Sequence, residues 1–367
     1  MLRRYLPHDT ESLIHWYTRY VSPLGLVAGF LADTFLFLSR VDQVSGLVIV
    51  CAHLILAAAA IAFLNAVREG SLSHPWFLAA APFAPVLMQF SFGGLFSAFF
   101  SLYSRSAAFP ATWLFVALLA LFLIGNERFW RFYERITFQI GIYFVALLSF
   151  MAFFVPVVVH RIGDDIFIAS ALLALAILGG LISALFQVAP IRTRAFRTRI
   201  VVTAGGVFVG FVAFYLADLI PPLPLALKSA GTYHHVERTS GGEYRSLGEE
   251  SSWIEEMFGY GRTLHLVPGE SAYVFTSIFA PSGLSTRIAH EWQYYDARAH
   301  AWQTVAYVPF DIIGGRDAGY RGYSAKFEPG AGKWRVNTLT NAGKMIARIS
   351  FTVVHASSSP ALVERQL

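Results

Sequence analysis

Seven apolar stretches fill most of the first 220 residues: Pro23 to Leu38, Val44 to Leu64, Trp76 to Phe100, Phe109 to Ile124, Ile136 to Val155, Ile166 to Phe186 and Ile200 to Ile220. A helix crossing the hydrocarbon core of a bilayer needs about 20 such residues. A segment apolar all round has to be buried, in protein or in lipid. So many in series predict a membrane all-α helical bundle of about seven spans over residues 1–222. Composition agrees: 56% of the chain is hydrophobic and 14% charged, against roughly 25% charged in soluble domains. The first and fourth stretches are short and recruit flanking aromatics, Trp16, Tyr17 and Tyr20 or Phe129 and Trp130, as interfacial belts. In the third, Pro82, Pro85 and Gly93-Gly94 predict a kink or a broken helix.

Orientation follows from the arginines. With the N-terminus inside, the inner segments hold Arg3, Arg4, Arg19, Arg68, Arg128, Arg131, Arg135, Arg192, Arg194, Arg197 and Arg199, and the outer loops only Arg40, Arg105 and Arg161. The positive-inside rule then predicts an N-in/C-out bundle in a bacterial inner membrane, with the C-terminal part periplasmic. Arg3 and Arg4 precede a polar stretch in place of a short apolar core, so the first span is expected to serve as an uncleaved anchor. The net charge of +5 is spread among apolar segments, which excludes a nucleic-acid footprint. The single cysteine, Cys51, permits neither an intramolecular disulfide nor a cysteine metal site.

Beyond "LIPPLPLALKSAG" the composition changes. All four lysines lie there, among 14 basic and 13 acidic residues. Residues 223–262 read as an acidic linker with a short helix, 263–355 as a β-domain and 356–367 as a tail. Seven runs, "TLHLV", "AYVFTSIF", "TRIAHEWQYY", "WQTVAYVPFDI", "YRGYSAKF", "KWRVNTLT" and "MIARISFTVV", alternate as strands do between turn-forming segments. They predict an all-β sandwich-like soluble domain. In the last run Ala347, Ile349, Phe351 and Val353 share one face and Arg348, Ser350 and Thr352 the other, and the "NAG" turn should pair this strand with "KWRVNTLT".

Three pieces, "YVFTSIFAPSGLSTRIAHEW", "FDIIGGRDAGYRGYSAK" and "GKWRVNTLTNAGKMIARISFTVV", resemble in order a bacterial family known as domain of unknown function 2914. The resemblance implies a small β-rich extracytoplasmic module joined to membrane segments. It implies no activity and no catalytic residue.

The glycine-rich stretch "DIIGGRDAGYRGYSAK" invites three readings. A phosphate loop requires G-x-x-x-x-G-K-[ST] between strand and helix, and no helix pattern follows here. Ser324 and Lys326 lie two apart on a strand, about 7 Å, too far to share a proton, so no catalytic residue is assigned. A binding role fits better: Arg316 and Arg321 offer forks for carboxylate or phosphate, Tyr320 and Tyr323 offer ring faces, and Lys326 adds a charge. Against it stands a bracing role, with Arg316 tying Asp311 or Asp317 and one tyrosine filling the core. Arg321 and Tyr323 share one strand face, and Tyr320, Ser324 and Lys326 the other.

His290 and Trp292 alternate with Arg287, Glu291 and Gln293, so a packed, hydrogen-bonded core histidine is expected. Trp334 and Val336 read as core. No further ligands stand at useful spacing around His234-His235, and neither a metal nor a cofactor is expected. Within the apolar stretches, Asp33 and His53 read either as an ion relay or as an interhelical contact. The expectation is a non-enzymatic inner-membrane protein whose periplasmic domain binds an envelope component, a glycan, lipid headgroup or partner protein, with the bilayer as its other partner. The alternative is a membrane-embedded enzyme or transporter acting on a lipid-linked or small solute.

Overall fold

The computed structural model describes residues 44–105, 109–126, 128–129, 132–221, 224–250, 262–315 and 319–367. They form a helical unit and a sheet-rich unit.

The helical unit holds α1 (Val44–Glu69), α2 (Pro75–Ala80), a 3-10 turn over Ala81–Phe83, α3 (Ala84–Arg105), α4 (Phe109–Gly125), α5 (Ile136–Val159), α6 (Asp164–Val188), α7 (Pro190–Ala195) and α8 (Arg197–Leu216). Among the described residues five segments, Gly46–Glu69, Pro75–Ser104, Ile136–Val159, Asp164–Val188 and Arg197–Leu216, are long and apolar enough to cross a membrane, and Thr112–Gly125 is apolar but shorter. The expected first span, with Asp33, lies outside the described residues. α5 is buried along most of its length, whereas Ile55, Leu172 and Val202 on α1, α6 and α8 are exposed. Bare apolar flanks of this kind are what spanning helices present to lipid.

The expected break in the third stretch divides into two effects. The helix is interrupted at Ala81–Phe83, beside Pro82 and Pro85, which lack backbone donors. Gly93 and Gly94 do not break α3 at all. A Cβ on Gly94 would lie 2.7 Å from Nε2 of His53, so the missing side chain admits the α1 histidine against the α3 backbone. A polar chain crosses the buried bundle: Asn65 Nδ2 donates to Gln139 Oε1 at 2.7 Å, Gln139 Nε2 to the Tyr133 carbonyl at 2.6 Å, and the Tyr133 hydroxyl to Asn126 Oδ1. Asn126 Nδ2 continues it to the Gln89 carbonyl at 2.9 Å. Each link satisfies a polar group that would be costly to bury alone.

Among the described residues the sheet-rich unit has eleven strands: β1 (Ala226–Tyr233), β2 (His235–Arg238), β3 (Tyr244–Glu249), β4 (Arg262–Leu266), β5 (Ser271–Phe279), β6 (Ser285–Asp296), β7 (Ala301–Ile313), β8 (Tyr320–Phe327), β9 (Gly332–Thr340), β10 (Met345–His355) and β11 (Leu362–Gln366). The seven expected strands are β4 to β10. The remaining four correct the domain reading: residues 226–249 are strands and not a linker, and residues 362–366 of the expected tail pair with β3. Their short runs carry many charges, so apolar alternation is weak there; pairing with distant strands decides their conformation.

A five-stranded sheet, β4-β10-β9-β6-β7, packs against the three-stranded sheet β1-β5-β8. Ala272 and Val274 of β5 meet Trp292, Trp334, Val336, Ile349, Phe351 and Val353 in one core. Trp292 stands edge-on to Trp334 and Phe351 at 6.3 and 6.1 Å between centroids. The opposite face of β5 sends Phe275 to Tyr233 and Val236, against the sheet β11-β3-β2. The middle sheet is thus covered on both sides. The β9–β10 hairpin forms as expected, with Ala347, Ile349, Phe351 and Val353 buried.

Candidate functional site

The glycine-rich stretch resolves into a strand, a turn and a strand. A Cβ on Gly314 would fall 1.8 Å from the Pro281 carbonyl oxygen, and Gly319 has φ +79°, so both positions require glycine. Arg316 lies outside the described residues. Asp311, one of its two expected partners, accepts a hydrogen bond at Oδ1 from Arg287 Nε at 2.8 Å. On β8, Arg321 and Tyr323 point away from the main core, where Arg321 is held by Glu243 at 2.7 Å and Tyr323 lies among Tyr244 and Tyr273. Tyr320 packs into the core with Ile278 and Ile312, while Ser324 is buried and Lys326 half-buried on that same side. Of the predicted residues that are described, Arg321 and Tyr323 therefore lie on one face of β8 and Tyr320 and Lys326 on the other. In the helical unit, His53 donates or accepts through Nδ1 at the Ile49 carbonyl, 2.9 Å away, and stacks on Phe90.

Ser324 belongs to a sealed polar knot instead. His290 Nδ1 lies 2.8 Å from Ser324 Oγ, His290 Nε2 lies 2.9 Å from Thr276 Oγ1, and Trp292 Nε1 donates to Ser324 Oγ at 2.9 Å. Every group is satisfied when Trp292 donates to the serine, the serine hydroxyl to Nδ1, and Nε2–H to the threonine. His290 is fully buried, and burial pushes its pKa down to about 4, so it is neutral near pH 7. The histidine links β6 of one sheet to β5 and β8 of the other. A Ser–His pair enclosed this way braces the two layers.

A second brace joins β3 and β4. Glu249 accepts from the His265 backbone N–H at 2.6 Å and sits 2.8 Å from His265 Nδ1 and 3.0 Å from His234 Nε2. Burial raises the pKa of this carboxyl, but the hydrogen bonds outweigh it and the net shift is downward. Among the described residues no group of three or more His, Cys, Asp or Glu side chains is arranged to hold a metal ion.

The richest exposed constellation lies on the outer face of the five-stranded sheet. Strand register places Arg348, Asn337, Glu291 and Tyr307 in one row across β10, β9, β6 and β7, and Ser350, Arg335, Gln293 and Thr304 in the next. Asn337 is the buried floor: its Oδ1 accepts from Arg348 Nε at 2.7 Å and its Nδ2 donates to Glu291 Oε2 at 2.8 Å. Arg335 Nε donates to Gln293 Oε1 at 2.6 Å, Gln293 Nε2 to Thr304 Oγ1 at 3.1 Å, and Thr304 in turn to Glu291 Oε1 at 2.8 Å. The Arg335 guanidinium stacks 4.3 Å over the Trp302 ring, beside Tyr295. Tyr307 is 54% exposed. Strand β7 carries a bulge opposite Trp292/Gln293, which re-aims Thr304 and Trp302 onto this face.

Strand alternation puts Arg287, Glu291 and Gln293 opposite the core and Arg348 on an outer face, but does not join them. The missing signal is strand order: β9 lies between β6 and β10, and only that adjacency brings the two arginines, Asn337 and Glu291 together.

Such a chain defines a class: several helices of membrane-spanning length followed by a sheet-rich domain with a polar and aromatic open face. Residues 285–353, from β6 into β10, match the family described as "Protein of unknown function (DUF2914)", and this segment contains every residue of the two rows. Among curated proteins none matches the sequence. Among solved structures, the Pseudomonas fluorescens alkylpurine DNA glycosylase AlkC, bound to DNA containing an abasic site analog, aligns over 86% of this chain and 99% of its own at 8% identity, with a TM-score of 0.20. A likeness that low carries no argument about fold or function.

Proposed function

We propose that this is a multi-pass protein of the bacterial inner membrane, with about seven spans oriented N-in/C-out, that presents a periplasmic sheet-rich domain to bind an envelope component. The observation that carries this reading is the double row on the outer face of the five-stranded sheet. Its side chains supply planar donors and acceptors over a buried asparagine, with aromatic rings at the edge. Planar hydrogen-bonding groups beside rings suit a glycan, which offers hydroxyls at its rim and C–H surfaces on its faces. In this reading the outer face, in place of the glycine-rich loop, is the site. His53 favours the interhelical contact over the relay, since it is fitted against Gly94 and bonded to its own helix.

Two experiments test the reading. A periplasm-dependent reporter fused after Leu367 is expected to be active; an inactive fusion overturns the orientation. The purified full chain in detergent is expected to retain soluble oligosaccharides released from a bacterial envelope, and the double variant Trp302→Ala/Tyr307→Ala to lose them. Retention unchanged in that variant removes this face from the function.

A further inference from the structure

We infer that the outer face selects acidic saccharides, with the Arg335 fork taking the ligand's carboxylate or phosphate and Tyr307 and Trp302 lining the ring. The inference rests on the binding role proposed above and names the class of ligand.

Charge balance is the first reason. The carboxylate of the double row, Glu291, is occupied by neutral donors: Thr304 on Oε1 and Asn337 on Oε2. Both arginines are anchored through Nε on neutral amide oxygens, of Gln293 and Asn337. Among the described residues no carboxylate lies within ion-pairing distance of Arg335. Half-buried cations normally find such a partner, because desolvating an uncompensated charge is costly.

The second reason is mutual repulsion. Burial and the nearby positive charge of Arg348 both lower the Arg335 pKa, and Glu291 only partly offsets them. An anion bound at the Arg335 fork would relieve this.

Preorganisation is the third. Nε anchoring together with stacking on Trp302 fixes the plane of the Arg335 guanidinium. A fixed fork meets a carboxylate or phosphate by paired hydrogen bonds without ordering a long side chain at the moment of binding. Tyr307, opposite Glu291 in the first row and exposed, stands where a sugar ring attached to that anion would lie.

The experiment uses the full chain in detergent and isothermal titration with hexagalacturonate, neutral maltohexaose, glucose 6-phosphate and inorganic phosphate. The wild type is expected to bind hexagalacturonate at least about tenfold more tightly than maltohexaose, the increment of one charge-assisted contact. Arg335→Gln should abolish that preference, Arg335→Lys should keep part of it, and Tyr307→Ala, at an exposed position that does not risk the fold, should weaken both oligosaccharides. Competition by glucose 6-phosphate would extend the class to phosphorylated sugars, and its failure would confine it to carboxylated ones; either supports the inference. Equal binding of the acidic and neutral oligosaccharides, unaffected by Arg335→Gln, overturns the inference while leaving the glycan-binding role standing. Inorganic phosphate competing as well as glucose 6-phosphate overturns the sugar part of it. If no oligosaccharide binds the wild type, the inference and the role on which it rests fall together.

Discussion

His290 and Glu291 are adjacent in the chain and end in opposite environments. His290 enters the space between two sheets, where its ring nitrogens meet Ser324 and Thr276 and water is excluded. Glu291 turns to the open side, where its oxygens meet Thr304 and Asn337. Both belong to complete hydrogen-bond networks, so satisfaction alone does not separate a brace from a binding surface. Access does, together with residual charge. The buried knot is neutral and closed, whereas the outer rows are open and hold Arg335 with no carboxylate at ion-pairing distance among the described residues. The same strand alternation that hides one network displays the other.

Substitutions on the two sides should therefore part company. The largest effect is expected for Trp292→Ala, which removes a fully buried indole from the core and should cost about 3–5 kcal/mol. Chemical denaturation of the full chain in detergent, followed by protease resistance of the sheet-rich unit, would show it. Loss below about 1 kcal/mol would mean that the layers are not held by this core.

Next comes pH. Burial depresses the His290 pKa from 6.5 in the unfolded chain to about 4 in the fold. Between these values the unfolded state binds the extra proton, so stability is fully present above pH 6.5, falls as pH drops through the window, and levels below about 4. The total is roughly 3 kcal/mol. His290→Gln should flatten that slope, and an unchanged slope in the variant would assign the effect elsewhere. Glu249 also has a lowered pKa, so its contribution is lost at lower pH, as acidification passes through its folded value.

Ser324→Ala should follow, since it leaves the Trp292 indole N–H and His290 Nδ1 unpaired in the core. A loss of about 1–3 kcal/mol is expected in the same denaturation. At the small end, Arg287→Ala and Asp311→Ala break an exposed pair on the outer face and should leave the unfolding midpoint unmoved. A clear destabilisation there would show that the outer face carries structural weight as well, and would blur the contrast.

Much of this was legible in the sequence. The strands β4 to β10 announce themselves through alternation, and the core positions of Trp334, Val336 and His290 follow from parity alone. The apolar stretches likewise mark helices by length. Three things were out of reach. Short charged strands such as His235–Arg238 gain their conformation from partners elsewhere in the chain. The face of β8 that meets solvent depends on a third sheet, β11-β3-β2, which the linker reading did not contain. The outer rows depend on lateral strand order, and no local pattern encodes that β9 sits between β6 and β10. Arg321 has the right chemistry for a ligand and is instead tied to Glu243, which lies in that unforeseen layer.

The pairing of β11 with β3 has a kinetic corollary. These strands are joined across more than 100 residues, from Glu249 to Leu362, and β1 likewise waits for β5 and β4 for β10. Contacts this remote in the chain must close large loops before they return any free energy, which places folding toward the slow, millisecond-to-second end of small domains. The third layer cannot seal until residues 362–366 have left the ribosome. During that interval the outward face of β5, with Tyr273 and Phe275, is open to any competing strand.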